Sequence, residues 1–459
     1  MGPASPKLSA TTYAGAACTV ALVAAGLSLP AAVGAQALVP AATDIAPHRQ
    51  RTGAGEQIGK EAAEHDYPRF RWDDAPSLVL GEGTRIDFRG RFQLDLKGSE
   101  VPLTDEDEES TIDIARRRIG IEGEILNLFD YQVERELGVE RDPWRDVYIN
   151  YKQFPAAEVM AGKFKLPFSL DENTSAINLD FVNRSRAADL LAPGRDRGVM
   201  VHGRVLERGL VEYEIGTFVH DGRNARQHDS GRVHGDQTFA VRGTAQPWRS
   251  TKSSFRDLAF GAAFTSSTLL EGFPDLRGRT ALDLPFYRPD LWVKGQRRRV
   301  GLQFRWRPGP VSVKSEYIRL TDQRLDQSVD DTDLSPFLAT GWYVSGTWAI
   351  TGDAKAGGLP RPRRPLLQGG YGAVEVAARI ENLRFGSVAT DGVPSSGPRA
   401  DVVLGNADRI GTFGVNWYVN RWIKLQMNFI RETISEPADG PSPASPTFWS
   451  RVFRFQLAI

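Results

Sequence analysis

The sequence predicts an all-β fold, a 16-stranded antiparallel transmembrane β-barrel. Three observations support it: segments of about ten alternating apolar and polar residues, connections of unequal length at the two strand ends, and no run of about 18 uncharged apolar residues after position 37. The clearest segment, residues 84–97, places Ile86 and Phe88 on one parity and Arg85 and Asp87 on the other. Because successive side chains of a strand point to opposite faces, this segment has one face suited to lipid and one suited to water.

The N-terminus is predicted to be a secretory signal peptide, residues 1–37. Lys7 gives it a basic start, residues 14–29 are small and apolar, and an Ala-Gln-Ala tripeptide ends at position 37. This order is typical of a secreted chain with a small-residue cleavage site. Cys18 is the only cysteine and lies inside the signal. The mature chain is therefore expected to form no disulfide, thiolate metal site or cysteine nucleophile.

The rest of the chain divides into two parts. Residues 38–75 are polar and largely aperiodic, which predicts a flexible periplasmic segment. Residues 76–459 are predicted to form the barrel. The full chain has 57 basic and 57 acidic residues; the signal contains one Lys and no acid, so the mature chain carries a formal charge of −1. Net charge alone therefore favours neither cations nor anions as partners.

Sixteen strand candidates follow from the alternation of apolar and polar residues. They are residues 84–97, 111–125, 129–140, 146–153, 157–165, 196–206, 209–220, 236–246, 255–267, 295–307, 311–321, 338–351, 370–384, 407–419, 422–433 and 447–459. An even number of strands returns the C-terminus to the periplasmic side, where the chain also enters the barrel.

The connections give a second, independent signal. Those assigned to the periplasmic side are mostly short: residues 126–128, 154–156, 308–310 and 420–421. Those assigned to the outer side are mostly long: residues 98–110, 166–195, 221–235, 268–294, 322–337, 385–406 and 434–446. Short periplasmic turns with long extracellular loops are typical of bacterial barrels. Two connections depart from the rule: 141–145 is a short outer one, and 352–369 is a long inner one.

Aromatic residues near strand ends are expected to form interfacial girdles on the outside of the barrel. They are Trp306, Trp342, Trp348, Trp417 and Trp422. The alternative, that they fill the core of a soluble β protein, is disfavoured by the signal peptide and by the unequal connections.

One strand fits the alternation badly. In residues 111–125 the apolar parity changes from Ile112 and Ile114 to Ile119 and Ile121. A β-bulge that resets the register accounts for the change and turns Arg117 outward. An outward Arg is tolerated near the membrane interface but costs about 2–4 kcal/mol at mid-bilayer.

Several short stretches, taken together and in order, resemble a known family, the phosphate-selective porins O and P of Gram-negative outer membranes. They are residues 161–168 (AGKFKLPF), 184–185 (RS), 194–199 (GRDRGV), 341–344 (GWYV), 351–352 (TG), 372–375 (GAVE), 378–379 (AR) and 414–418 (GVNWY). The resemblance runs from about residue 76 to the end of the chain. It implies a sixteen-stranded barrel, a homotrimer, and anion diffusion through a basic lumen. The chain departs from the pattern at its end, where Ile459 stands in place of the usual final aromatic residue.

An anion pore needs closely spaced, water-facing cations on rigid strands. The candidate anion-binding and pore-lining residues lie on the first two strands, on the fifth strand and in the long connection after it. They are Arg85, Arg89, Arg91, Arg116, Arg118, Lys163, Lys165, Arg184, Arg186, Arg195 and Arg197. Arg suits phosphate because its fork donates two parallel hydrogen bonds and stays charged at any relevant pH.

A structural role competes with anion binding at each of these cations, because barrel interiors often contain Arg–carboxylate pairs that hold the wall together. The same faces offer many acids for such pairing: Asp87, Asp95, Glu122, Glu124, Glu134, Glu136, Glu316 and Glu375. Sequence reasoning leaves both roles open.

Other constellations are weak, and no cofactor, metal or catalytic residue is predicted. Asp105, Asp107 and Glu109 alternate in a way that suits a divalent cation, but a solvated acidic loop explains them better. His228 and His234 lack zinc spacing.

The leading functional hypothesis is a passive porin for anions, namely phosphate or polyphosphate, with no enzymatic activity. The expected partners are the permeating anion, outer-membrane lipids and lipopolysaccharide, the barrel-insertion machinery and further copies of the chain, without nucleic acid. The alternatives are a general or other-solute channel, a plugged structural or adhesive barrel, and a barrel-embedded lipid hydrolase that would use His202 or His220.

Overall fold

Sixteen antiparallel strands pair in chain order around a closed ring in the computed structural model. It describes residues 68–72, 75–103, 108–140, 142–206, 209–225, 237–274, 276–288, 290–355, 358–389, 394–395, 397–435, 443 and 445–459. The signal peptide, most of the 38–75 segment, Asp105, Asp107, His228 and His234 lie outside these residues.

The strands, in chain order, are β1 (Arg69–Trp72), β2 (Pro76–Gly81), β3 (Thr84–Ser99), β4 (Ser110–Ile125), β5 (Phe129–Glu136), β6 (Trp144–Tyr151), β7 (Glu158–Lys165), β8 (Arg195–Val205), β9 (Val211–Phe218), β10 (Thr238–Ala245), β11 (Ala259–Gly272), β12 (Gly278–Arg279), β13 (Pro285–Tyr287), β14 (Val293–Trp306), β15 (Val311–Arg324), β16 (Leu334–Ala349), β17 (Ala373–Ser387), β18 (Pro394–Ser395), β19 (Val402–Val403), β20 (Asn406–Tyr418), β21 (Ile423–Ser435) and β22 (Thr447–Ala458). Two short helices, α1 (Leu170–Asn173) and α2 (Arg186–Leu191), lie between β7 and β8.

The barrel closes where β22 pairs with β3, from Ser450 opposite Ser99 to Ala458 opposite Arg91. Ile459 continues the seam, since its N–H donates to the carbonyl of Gly90 at 2.9 Å. The predicted fold is confirmed, and each of the sixteen predicted strands overlaps one strand of the ring.

The wall has one polar, buried face and one apolar, exposed face, as the alternation predicts. Along β22, exposed Phe453 alternates with buried Val452 and Arg454. Exposed apolar residues such as Leu302 on β14 and Phe413 on β20 mark the outward, lipid-facing side. Among the described residues, no helix has the length and apolar character needed to cross a bilayer.

The predicted bulge is present in β4. Gln93 pairs with Arg116 and Asp95 with Asp113, so the register shifts by one residue between them. Arg117 lies opposite Phe92 and is exposed, as expected for an outward side chain.

A hairpin of β1 and β2 precedes the barrel, and β1 lies in the region that the sequence assigns to the flexible segment. Strand β1 pairs with β2, and β2 pairs with the first residues of β3, below the level where β22 ends. Four residues are too few for the alternation of β1 to be recognised in the sequence.

The long inner connection after β16 has a structural reason. It carries Lys355 into the barrel, where the side chain is fully buried and its ammonium group contacts Asp180 at 3.1 Å, and also Glu375. The connection must be long because the chain leaves the rim of the barrel and then returns to it.

A candidate anion-binding constriction

The connection between β7 and β8, here called the constriction loop (residues 166–194), folds into the barrel and reaches strands on the opposite side of the ring. Ser169 caps α1 by accepting a hydrogen bond from the N–H of Glu172. The free N–H groups of Leu170 and Asp171 then donate to the carboxylate of Glu316 on β15, at 3.1 and 3.3 Å. A wall carboxylate therefore supplies acceptors that a helix start needs.

Wall side chains also satisfy the carbonyl groups of the constriction loop. Lys424 on β21 donates to the carbonyls of Ile177 and Leu179 at 3.1 and 3.0 Å. Arg454 on β22 donates to the carbonyl of Val182 at 2.6 Å. Because buried backbone groups need partners, these side chains fix the path of the loop.

One loop carboxylate is held by two lysines. Asp180 lies 2.8 Å from Lys314 and 3.1 Å from Lys355. Burial by itself raises the pKa of Asp180, but the two ammonium groups outweigh burial and hold that pKa well below its ordinary value. Asp180 therefore stays ionised and joins the loop to the wall.

Apolar side chains fill the part of the lumen beside β14–β17. Phe168 and Leu191 of the constriction loop are fully buried in one cluster with Phe286, Tyr287 and Phe385. The rings of Tyr287 and Phe385 stack with centroids 4.8 Å apart. The wall formed by β3–β6 is instead polar on its inward side, with Asp95, Arg118 and Glu134 among its buried residues.

On that polar side lies a cavity of about 300 Å³ between the constriction loop and the wall. Its charged lining consists of seven arginines and three carboxylates, a formal charge of +4: Arg116, Arg117, Arg118, Arg145, Arg184, Arg195 and Arg223, with Glu136, Glu172 and Asp189. Such an excess of guanidinium groups attracts anions, which enter a cationic concavity with low-dielectric walls.

The three carboxylates are shared among the arginines. Glu172 lies 2.7 Å from Arg223 and 3.3 Å from Arg184. Burial by itself raises the pKa of Glu172, but Arg223, Arg184 and Lys165 outweigh it and bring that pKa to about 2. The carboxyl group is therefore ionised at neutral pH, and the cavity is still positive with its acids fully charged.

Seven of the eleven predicted residues lie inside the barrel and pair with a carboxylate. The pairs are Arg85–Asp87 (3.0 Å), Arg89–Glu122, Arg91–Glu134 (3.0 Å), Arg118–Glu136 (2.6 Å), Arg184–Glu172 (3.3 Å), Arg186–Asp189 and Arg195–Asp146 (2.8 Å). Structural pairing, the competing role, therefore accounts for much of what these side chains contact.

Two predicted residues inside the barrel have no carboxylate partner among the described residues. Arg116 donates to the side-chain carbonyl of Gln93 at 2.6 Å. Lys165 donates to the backbone carbonyls of Thr174, at 3.1 Å, and Glu172. Their charges are solvated by neutral dipoles, so Arg116 and Lys165 are the best-placed cations to add an anion as a further partner.

The remaining two predicted residues lie on the outer face of the wall. Lys163 pairs in register with Val147 and with Arg197, on the face that also carries exposed Val199. The Lys163 ammonium group contacts Asp142 at 2.5 Å. The structure thus places Lys163 and Arg197 away from the lumen that the sequence assigns them to.

The reason lies in the neighbouring side chains of β7. Met160 and Phe164, whose parity looks lipid-facing in the sequence, instead point inward and pack with Leu166, Met200 and Phe218 in a small buried cluster. Because the inward residues here are apolar, the charged residue of the opposite parity faces outward, which is the reverse of the usual arrangement in a barrel strand.

Five cavity-lining charges were missed by sequence reasoning: Arg117, expected only as an outward side chain, and Arg145, Arg223, Glu172 and Asp189. Arg145 is the second residue of β6, in a stretch that the sequence assigns to a short outer connection. Arg223 is brought to the cavity by a short 3₁₀ helix, Gly222–Ala225. Only the clustering of charge in residues 166–195 and 221–235 hints at these roles, because their positions depend on how the loops fold.

Comparison with known proteins supplies the family. The profile of the family "Phosphate-selective porin O and P" matches residues 86–459, which is most of the chain. The chain belongs to this porin family. Members of it are integral proteins of the outer membrane of Gram-negative bacteria, which gives the location of this porin.

Individual relatives are more distant. Porin O of Pseudomonas aeruginosa is 27% identical over 134 residues, 28% of each chain, so the match spans under a third of that relative's length. OmpT of Vibrio cholerae is similar in structure, with a TM-score of 0.51 and 12% identity, over 83% of this porin and 99% of that chain. The outer-membrane channel DcaP of Acinetobacter baumannii gives 0.50 and 10%, over 82% and 98%. At these identities the structures bear on the fold alone.

Proposed function

We propose that this porin is a passive, non-enzymatic, homotrimeric channel for phosphate or related anions, with the arginine-lined cavity as its binding site. The observation that carries the proposal is the excess of seven arginines over three carboxylates in the cavity. Arg116, one of these seven, and Lys165 beside the cavity are cations whose described partners are neutral oxygens. The family name and the homologous stretch of Porin O support phosphate; the family resemblance supports the trimer.

Anion passage here needs no reaction chemistry. An anion that leaves water for the cavity exchanges hydration for charge-assisted hydrogen bonds from guanidinium groups, each stronger than a neutral one. Because the same arginines are already shared with Glu136, Glu172 and Asp189, their hold on the anion is moderated. Binding that is favourable at entry but weak enough for release is what conduction requires.

The test is single-channel recording in planar bilayers. Wild-type porin is expected to show an anion-selective reversal potential in a KCl gradient, and phosphate is expected to block the chloride current. The Arg116→Gln/Lys165→Gln variant should lose most of the phosphate block of the chloride current. The matched control, Lys163→Gln/Arg197→Gln, removes two cations from the outer face and should retain it.

Three outcomes would contradict the assignment as an anion channel with this site. A cation-selective wild-type channel rejects the anion assignment, and equal block in both double variants rejects the cavity as the site. A properly folded porin that does not conduct favours the plugged structural barrel.

For the hydrolase alternative, His202 contacts the side chain of Asn150 at 3.0 Å and His220 lies 3.7 Å from Asp196. Phospholipid hydrolysis lost on substituting either histidine would contradict the non-enzymatic assignment.

A further inference from the structure

Among the described residues, the outward face of the barrel wall carries cations but no carboxylate below its extracellular end. The pairing register defines a band of outward positions that runs from the periplasmic end of each strand up to its first outward charge. Over that band the outward positions of the described strands contain no Asp or Glu. The inward face of the same strands is rich in both signs, with Glu122, Glu134 and Glu375 among its acids.

The outward cations form a set that we call the outer belt. It consists of eight arginines and one lysine on nine different strands: Arg135, Lys163, Arg197, Arg298, Arg319, Arg384, Arg409, Arg431 and Arg451. Arg117 on β4 also faces outward, but it is left out of the set because its guanidinium group lies against Gly138, in the turn after β5.

The outer belt lies at the extracellular limit of the apolar surface. On β14 the outward residues run Trp306, Phe304, Leu302 and Val300 before Arg298. Because barrel strands are tilted, eight residues of such a strand rise roughly 20 Å along the barrel axis. This is close to the height of the apolar band of such barrels. An outward Arg is tolerated at that level, whereas it is costly at the bilayer centre.

The guanidinium groups of the outer belt are held but not neutralised. Arg431 lies over the ring of Trp449, 5.9 Å from its centroid, and Arg135 lies 5.5 Å from that of Trp144. Arg451 packs over Gly98 of β3, where a Cβ atom would lie 2.9 Å from its Nε. The eight belt arginines form no ion pair with a described carboxylate, whereas inward Arg454, on the same strand as Arg451, grips Asp95 at 2.6 Å.

We propose that the outer belt binds the phosphate groups of the glycolipid of the outer leaflet, the lipid A part of lipopolysaccharide. The belt has the charge, height and extent for that partner: Arg pairs bidentately with phosphate, and each basic residue near an anionic leaflet adds attraction. The periplasmic strand ends carry Trp306, Trp348 and Trp417 instead of cations on this face. The wall is therefore as asymmetric as the membrane, with its outward charge only on the side where phosphate is dense.

A second copy of the chain is the competing occupant. A subunit contact covers one sector of a barrel, whereas the belt extends from β5 to β22 and includes neighbouring strands on both flanks of the ring. The outward positions of the described strands also offer no acid, over the band defined above, with which a second belt would pair. Lys163 already contacts Asp142, but lipid explains all eight arginines, and a subunit contact explains only some.

The experiment measures binding of purified lipid A by the detergent-solubilised porin, using the bis-phosphorylated form and the same lipid with its phosphates removed. Wild-type porin should bind the phosphorylated form at least tenfold more tightly. This comparison uses no variant, so it does not depend on whether any substitution folds. Equal affinity for the two forms would overturn the proposal.

Variants then locate the site. Arg298→Gln/Arg319→Gln and Arg431→Gln/Arg451→Gln should each weaken binding of phosphorylated lipid A, by roughly fivefold for every arginine removed. The matched control is Arg361→Gln/Arg364→Gln, which removes two exposed arginines from the periplasmic connection and should bind like wild type. Unchanged binding in both belt variants, or a changed oligomeric state with unchanged lipid binding, would assign the belt to another role.

Discussion

Arg454 and Arg451 stand three residues apart on β22 and face opposite sides of the wall. Arg454 is almost fully buried, and its fork makes two 2.6 Å contacts with the carboxylate of Asp95. Arg451 is exposed and lies over Gly98. The difference shows that arginine has two roles in this barrel. Inside, it mainly pairs with carboxylates of the wall and carbonyls of the constriction loop. Outside, the belt arginines have no described carboxylate as a partner.

The largest expected effect is on stability. Arg454→Gln should lower the free energy of unfolding by about 3–5 kcal/mol, because it leaves the buried carboxylate of Asp95 without its partner. Arg451→Gln should change it by less than about 0.5 kcal/mol, as surface substitutions usually do. Urea unfolding of the two variants, followed by tryptophan fluorescence, measures both. Equal losses would mean that the inner pair is no more structural than the outer arginine.

Anion affinity comes next. Arg223→Gln should weaken phosphate block of the chloride current roughly tenfold, because it removes one charged donor from the cavity and leaves Glu172 and Asp189 less compensated. Arg135→Gln, which removes an outward arginine, serves as the control and should leave the block unchanged. A similar loss in both variants would place anion binding outside the cavity.

The pH dependence of the loop pairs gives a smaller effect. Because the pKa of Glu172 is about 2 in the folded porin, against 4.5 ordinarily, its ion pairs stabilise the fold fully above about pH 4.5. That stabilisation is lost as the pH falls toward 2. Thermal unfolding of wild type and Glu172→Gln should therefore differ at pH 7 and converge near pH 2. A difference that grows on acidification would contradict the assigned direction.

The smallest effect is expected on the outside. Arg409→Gln/Arg431→Gln should leave the reversal potential in a KCl gradient at its wild-type value, since neither side chain meets the permeating ion. If the double substitution shifts selectivity as much as Arg116→Gln does, the inner and outer arginines are not functionally distinct.

The fold could be predicted because a barrel wall has lipid on one side and water on the other, so nearly every strand alternates apolar and polar residues. On β14, charged Arg297 and Arg299 alternate with apolar Val300 and Leu302, and one rule gives both the strand and its faces. The bulge in β4 was also predictable, because it reverses the parity of isoleucines that must face lipid.

The site could be predicted only in part, for two physical reasons. Parity shows which residues share a face but not which face is inward, and on β7 the buried pair Met160 and Phe164 reverses the expected sides of Lys163. Lys165 reaches the interior because its ammonium group finds loop carbonyls there. Arg223 belongs to the cavity because of a loop conformation, which has no periodic signature in the sequence.

The anchoring of the constriction loop has a consequence for how the porin is assembled. Val182 is held by Asn428, and Ile177 by Lys424, partners about half the chain away in sequence. Contacts so distant form late, because the loss of chain entropy must be met before they can help. The aperture therefore takes its final width only after the last strands have joined the first, and a nascent or truncated ring would be wide and unselective.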